Sequence, residues 1–456
     1  IAGAEHYMHH SNGTAEDRRA YLDAGGVTVV DPYTVKFKLD YPDPAFKFKL
    51  AFYAASVMSK DYVCAHAEPD FVDCLPPPGE TRHPWMDTHE AGSGPFMLDA
   101  WIPGQQVILK RFDGYWNAQG KAKVEKVIIQ KVEDINTRLL MLFSGQADDV
   151  YVPVDHDVDV IGKPNVNIVE NPSWTVGFIG FNQKFCGGPG GRNFQTCMSA
   201  NGQDAPKDAN GQPVPLFFSD INMRKAFTLA FDYNTYFNDI LKGHGRMLNG
   251  PLPKGIFGYD ESIPQPKQDM AAAVQAFKQT NHSQGFSLTI YYNTGNTVRE
   301  KTASLFAQNL EQMCQQAGAT CDVKAQGLDW SSAFLPKQRQ QALPMFYLGW
   351  APDYAYPDNY VVTFAHSEKG VYAARVGYHN QQLNTLLDQL VQETNENEAK
   401  QGWSDAVKML NNDYVFLWLA QGANFHVERA WVKGYYYNPM HSGGPNIGDY
   451  SAVSKG

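Results

Sequence analysis

Apolar and polar positions change period several times along the chain, and each change marks an element. Residues 27–40, VTVVDPYTVKFKLD, alternate about an Asp-Pro turn, which predicts a β-hairpin. GPFMLDAWIPG and QQVILKRFDGYW predict two strands joined by a Pro-Gly turn, and VEKVIIQKV another strand. In DINTRLLMLFSG the apolar residues fall at helical spacing between a capping Asp134 and a terminating Gly145. ADDVYVPV follows as a strand. Residues 174–183, WTVGFIGFNQ, are apolar almost without a break, the pattern of a strand covered on both faces; YVFLWLAQ repeats that pattern far downstream.

Between those two strands the alternation of types continues. SDINMRKAFTLAFDYNTYFNDIL predicts one long amphipathic helix capped by Ser219. FSLTIYYN, ATCDVKAQ and ALPMFYLGW predict strands; NTVREKTASLFAQNLEQMCQQAG predicts a helix ending at Gly318. NQQLNTLLDQLVQET and AKQGWSDAVKMLNND predict two more helices. Residues 64–95 and 186–215, dense in Pro, Gly and polar residues, predict long loops. Strand, helix and strand in succession define α/β layers. Two such series fit a chain of 456 residues, longer than one core normally covers.

Composition narrows the function. The net charge of −10 is spread without a basic run, which argues against a nucleic-acid footprint. LAFYAASVM, among the longest apolar runs, falls short of a membrane span. Six cysteines form three close couples, Cys64 with Cys74, Cys186 with Cys197 and Cys314 with Cys321. They read as three local disulfides made in an oxidising, extracytoplasmic compartment. Unpaired thiols or a metal site are the alternative, and no couple has the CxxC spacing of a zinc site. Residue 1 is not a start methionine, and IAGAEHYMHH reads like the middle of a domain.

Motifs for catalysis are absent: no GxSxG, no HExxH and no GxxxxGK[ST]. Neither an enzyme nor a cofactor is expected. GSG at 92–94 reads as a turn. His6, His9 and His10 share a helical face, which suits a metal but more simply a solvated surface. DANGQP, aligned on Gly211 as a calcium loop, would put Pro206 and Phe217 at the terminal ligand positions, so it reads as a plain turn. No metal is expected. One stretch stands apart, GWAPDYAYPDNYVVTF at 349–364, which sets Asp353 at a strand end among Trp350, Tyr354, Tyr356 and Tyr360. It reads either as a ligand loop or as a packed loop whose aspartate caps a turn.

Several blocks, widely spaced and in order, carry a resemblance: GVTVVDPYTVKFKLDYPDPAF, GSGPFMLDAWIPGQQVILKRFDGYWN, TRLLMLFSGQAD, SDINMRKAFTLAFDY, NGPLPKG, GWAPDYAYPDN and AWVKGY. Together the chain resembles the extracellular solute-binding proteins (family 5) of oligopeptide and dipeptide ABC importers. The resemblance implies an α/β, two-lobe periplasmic-binding-protein-like fold of type II, with an extra subdomain on lobe one. It implies residues 1–90 as part of that subdomain, 91–173 with 421–456 as lobe one, and 174–420 as lobe two. The strands WTVGFIGFN and YVFLWLAQ are then the crossings between lobes. Family chains begin well before the point that IAGAEHY matches, so the opening of lobe one is expected to be missing from this sequence.

The resemblance further implies a peptide ligand and permease subunits of an ABC importer as partners, with a monomeric protein in the periplasm or on the cell surface as a lipoprotein. In peptide-binding relatives the aspartate of GWxxD pairs with the ligand's N-terminal ammonium, and Asp353 stands there. Trp350 and Ala351 would extend the ligand as an added strand. Tyr347, Tyr354, Asn293 and Trp418 complete the expected site. Pro352 removes one N–H donor from this loop, and no basic residue in the stretch serves a ligand carboxylate. Some family members bind cello-oligosaccharides on aromatic platforms. That is the alternative, against which a carboxylate at 353 speaks.

Overall fold

A computed structural model describes residues 25–69, 71, 74, 83–441 and 449–456. The first element is the expected hairpin, β1 (Val27–Asp31) against β2 (Thr34–Phe37), with Asp31 Oδ1 accepting the Tyr33 N–H at 2.8 Å in the turn. β3 (Phe96–Ile102), β4 (Gln106–Arg111) and β5 (Lys126–Gln130) form an antiparallel sheet of three. Helix Ile135–Ser144 follows. Asp134 accepts from Thr137 N at 2.8 Å at its start, and Gly145, at φ 78°, ends it in the left-handed region that a side chain disfavours.

The main sheet gathers β6 (Asp149–Tyr151), β7 (Val166–Phe181), the two-residue β8 (Lys207–Asp208) and β9 (Arg246–Met247), β10 (Gly285–Asn293), β11 (Thr320–Leu328), β12 (Met345–Trp350) and β13 (Phe416–Arg429). Its order is β11-β10-β12-β7-β13-β6, with β8 on β10 and β9 on β13. β10 runs parallel to β11 and β12; β7 is antiparallel to both β12 and β13. The two long strands carry the two apolar runs side by side, Leu417 opposite Ile179 and Trp418 opposite Phe178.

Period-two alternation then assigns side chains to opposite faces of this sheet. Ile179, Phe181, Met345, Tyr347, Leu417 and Leu419 enter one core with the helices Ile221–Ala230, Met270–Lys278 and Thr297–Ala317. Val176, Phe178, Phe346, Leu348, Phe416 and Trp418 enter the other, under the helices Asp358–Ala365, Gln381–Leu390 and Glu396–Asn412. Both faces are covered by helices, which is why these strands read as nearly unbroken apolar runs. Phe178 meets Phe364 edge-on at 4.8 Å and Phe416 at 5.5 Å; a ring so enclosed is worth about 3–5 kcal/mol against alanine. A third core, Leu139, Leu142, Val150, Phe425 and Val427, lies where the far half of β13 meets β6.

The β7–β13 ladder shifts register between Trp418 and Gln421 and again before Ala423. The buried Gln421 secures this irregularity. Its Nε2 donates to Ser173 O at 2.8 Å and Lys254 O at 3.0 Å, and its Oε1 accepts from Lys254 N at 3.0 Å. Such a break re-aims the strand, and the cavity described below opens beside it.

Three local expectations change. Within 186–215 the chain forms helix Phe194–Asn201, which has no apolar periodicity to betray it and is tied back by its cysteine. Helix Lys60–Ala65 runs into the segment read as a loop from residue 64. The long helix from Ser219 is two. Asp220, not Ser219, caps Ile221–Ala230 through Asn222 N, while the Ser219 hydroxyl donates to Leu216 O. Phe231 turns into the core in extended conformation, and Asp232 caps a new start through the N–H groups of Asn234 and Thr235. A short acidic side chain that offers its own cap competes with helix continuation. The three cysteine couples are bonded as expected, Cys64–Cys74, Cys186–Cys197 and Cys314–Cys321.

Candidate ligand-binding site

β12 delivers the chain into the 351–357 loop, and one side chain organises that loop. Asn359 accepts the Asp353 N–H on Oδ1 at 2.9 Å, and its backbone carbonyl accepts from Trp350 Nε1 at 3.0 Å. Two aspartates follow different fates. Asp358 accepts the Tyr354 hydroxyl at 2.8 Å and pairs with Lys49 at 3.3 Å, and Lys49 also holds Asp43 at 2.9 Å. Asp353 is half-buried and pairs with no cation among the described residues. Burial pushes its carboxyl up from the ordinary value, opposed only by Asn359.

On the other face of the sheet lies a cavity of about 500 Å3. Its walls come from β7 (Ser173, Thr175, Gly177), β12 (Tyr347, Gly349), the β13 irregularity (Ala420, Gly422, Ala423), the start of helix Thr297–Ala317 and residues 435–438. Arg299 lies on this wall. Its Nη1 donates to Asn293 Oδ1 at 2.6 Å, and its guanidinium stands 5.4 Å over the Tyr347 ring. A Cβ on Gly349 would lie 3.3 Å from Nη2, so glycine makes room for the guanidinium. Burial pushes the Arg299 pKa down, and tyrosines, not carboxylates, are the groups that act against that shift. Tyr372, whose phenol burial pushes to about 12, feels Arg375, which stands 5.5 Å over its ring, ahead of Arg299 and Asp353.

The expected residues therefore separate. Tyr347 lines the cavity, its hydroxyl 3.3 Å from that of Tyr236. Asn293 stands behind Arg299 as its hydrogen-bond acceptor. Ala351 is half-buried beside Trp350, which meets Tyr372 edge-on at 5.7 Å. Tyr354 turns toward Asp358 and the Lys49 ammonium, 5.4 Å from its ring. Trp418, expected to wall the pocket, is 5% exposed in the core; it packs against Phe364 and Phe416 and donates from Nε1 to Asn411 at 2.8 Å. The strand period explains this. Trp418 and Trp350 project to the face opposite Tyr347.

Sequence reasoning passed over Arg138, Tyr236, His244 and Arg299, all of which line the cavity. Arg299 left one signal: it is the third residue of its helix, where a cation opposes the helix dipole. His244 is presented between Gly243 and Gly245, both at positive φ. Its ring nitrogens reach Glu170 at 2.9 Å and Asp157 at 3.4 Å. No cluster of three or more metal-ligating side chains occurs among the described residues. His6, His9 and His10 lie outside them. Asp208–Gln212 forms a turn in which Asp208 Oδ1 accepts from Asn210 N and Gln212 N.

A mixed α/β chain whose long paired strands β7 and β13 border a cavity has the two-lobe fold of the periplasmic binding proteins. The model of bacterial extracellular solute-binding proteins, family 5 (middle), matches residues 5–371, and the chain belongs to that family. The Escherichia coli protein named "Probable D,D-dipeptide-binding periplasmic protein DdpA" is 25% identical over 418 residues, 90% of this chain and 70% of the relative. The Helicobacter pylori periplasmic binding protein DppA, solved with the peptide STSA, superposes with a TM-score of 0.73 at 21% identity over 94% of this chain and 73% of that one. The Bacillus subtilis oligopeptide-binding protein AppA, solved with a nonapeptide, gives 0.71 at 20% identity over 94% and 78%. No helix among the described residues is long and apolar enough to cross a membrane.

Proposed function

We propose that this protein captures peptides in the interlobe cleft and hands them to the permease subunits of an ABC importer. The observation that carries the reading is two charges without a counter-ion among the described residues: Asp353, half-buried just past the end of β12 with Asn359 at its backbone, and Arg299 on the cavity wall, held by Asn293 Oδ1 and the Tyr347 ring. A free peptide supplies the complement, an α-ammonium for Asp353 and a carboxylate for Arg299. A neutral oligosaccharide would leave both charges desolvated and unpaired, which is costly. The relatives solved with peptides support the same reading. Trp350 and Ala351 offer backbone groups along which a ligand extends as a strand.

In this reading residues 91–173 and 421–456 form lobe one, 174–420 lobe two and 1–90 part of the extra subdomain. The lobes close about the β7–β13 crossing. The protein acts as a monomer outside the cytoplasm, in the periplasm or lipid-anchored at the cell surface, and binds without turnover. A thermal-shift panel of free dipeptides, tripeptides and cello-oligosaccharides tests it. Ligand that binds only the folded state raises Tm by mass action. Stabilisation by peptides alone is expected. Stabilisation by the oligosaccharides alone overturns the peptide reading.

A further inference from the structure

The charged residues that line the cavity are all basic. Among the described residues they are Arg138, His244 and Arg299, with no aspartate or glutamate. His244 is balanced by Glu170 and Asp157 at its two ring nitrogens. The two arginines are not. Among the described residues Arg299 has Asn293 Oδ1 and the Tyr347 ring as its side-chain partners and forms no ion pair. Arg138 spends Nη1 on Tyr151 O at 2.7 Å and Nη2 on Glu133 O at 3.4 Å, and its Nε is buried with no partner. Asp134, one helical turn back, acts on it electrostatically but forms no ion pair with it. Its Oδ1 is taken by the N–H and hydroxyl of Thr137.

Arg138 stands 5.4 Å from the centre of the Tyr151 ring, and Arg299 stands over the neighbouring cavity-wall ring of Tyr347; the Asp155 carboxylate, which the Tyr151 phenol also feels, is already held by Lys301 at 2.7 Å. Thr297, also on the wall at the first turn of its helix, has a buried hydroxyl with no partner. Arg299 is deeply buried and Arg138 partly so, with its Nε fully enclosed, and a zwitterionic peptide brings one carboxylate for the two. Asp353 takes the ammonium. The count closes with a ligand that carries one carboxylate more.

We infer that the cavity takes peptides with a second carboxylate, an aspartate or glutamate side chain beside the free C-terminus, and that Arg138 is the residue that selects it. The inference rests on the peptide reading above. Guanidinium and carboxylate match bidentately, which a lysine cannot reproduce.

Calorimetric titration of the whole protein with Ala-Glu, Ala-Gln and Ala-Lys, and with the corresponding Ala-Ala-Glu, Ala-Ala-Gln and Ala-Ala-Lys, tests this. Glutamate and glutamine have the same shape, so their ratio reads the charge. The glutamate peptide is expected to bind about tenfold or more tighter than its glutamine twin, and the lysine peptide weakest. In Arg138→Gln the ratio should collapse toward one, and Arg138→Lys should restore part of it. A role of Arg138 limited to holding Tyr151 would lower all affinities and leave the ratio alone. Equal binding of glutamate and glutamine peptides by the wild-type protein overturns the inference while leaving the peptide reading standing. A ratio that survives in Arg138→Gln removes Arg138 from the role. If no free peptide binds, the peptide reading falls and this inference with it.

Discussion

Lys49 and Asp358 form a 3.3 Å ion pair that joins helix Phe46–Leu50 to the start of helix Asp358–Ala365, directly after the loop carrying Asp353. Asp358 is 7% exposed, and burial pushes its carboxyl up even with Lys49 beside it. Substituting Lys49→Met leaves this carboxylate with Tyr354 as its side-chain partner. A loss of about 1–3 kcal/mol is expected, the cost of a buried acceptor deprived of a charged donor. The double variant Lys49→Met, Asp358→Asn should recover part of it. Urea denaturation of these two variants, of Asp358→Asn alone and of the wild type measures the cycle.

Asp353→Asn keeps the side-chain shape and removes the charge. A bound ammonium would then be desolvated without its counter-ion, at about 2–5 kcal/mol, roughly thirtyfold to several thousandfold in affinity. N-acetylated peptides should lose as much against the unaltered protein. Because burial already raises the free Asp353 carboxyl, peptide affinity should also weaken as pH falls through that raised value, and Asp353→Asn should lack this dependence. Titration of one peptide and its acetylated form across pH decides; if affinity is untouched by both changes, the ammonium assignment is wrong.

His426 is fully buried, stacked on Tyr435 at 3.7 Å, with Glu428 2.9 Å from Nε2 and Nδ1 unpartnered. Burial pushes its pKa down to about 4, against the opposing field of Asp149. The folded form therefore binds its proton less readily than the unfolded chain. Stability contributed by neutral His426 is present at neutral pH and is lost as pH falls from the unfolded value of about 6.5 toward 4. The expected loss over that window is about 2–3 kcal/mol. Denaturation midpoints of wild type and His426→Asn at several pH values check it, the variant showing the shallower slope.

The Cys186–Cys197 bond closes a short loop around helix Phe194–Asn201. Removing it as the double serine variant should cost about 2–3 kcal/mol, the range for loops of roughly this size. It should also expose the helix to limited proteolysis before the rest of the chain. Peptide mapping without reductant should recover this pair together with Cys64–Cys74 and Cys314–Cys321. A protease-resistant helix in the variant would show that packing of Phe185 and Ala342 suffices to hold it.

Much of this architecture is written in short-range chemistry. Asp134 and Gly145 bound their helix because cap hydrogen bonds and positive φ involve residues at most a few positions apart. WTVGFIGFNQ and YVFLWLAQ read as strands buried on both faces because apolar residues run through them almost without a break, and the cysteine couples read as disulfides because their spacing is local. The residues that face a ligand were decided elsewhere. Trp418 and Tyr347 are equally aromatic, and only the registers of β13 and β12 against β7 set them on opposite faces. Asp353 and Asp358 are the same residue type five positions apart, and they differ because Lys49, distant in the chain, neutralises one of them. Arg299 is an ordinary helix residue in sequence. Its charge stands unmatched because the fold sets it against the Tyr347 ring and Asn293 and, among the described residues, pairs it with no carboxylate. Secondary structure follows from neighbours along the chain, whereas a binding site follows from which charges the fold leaves unpaired.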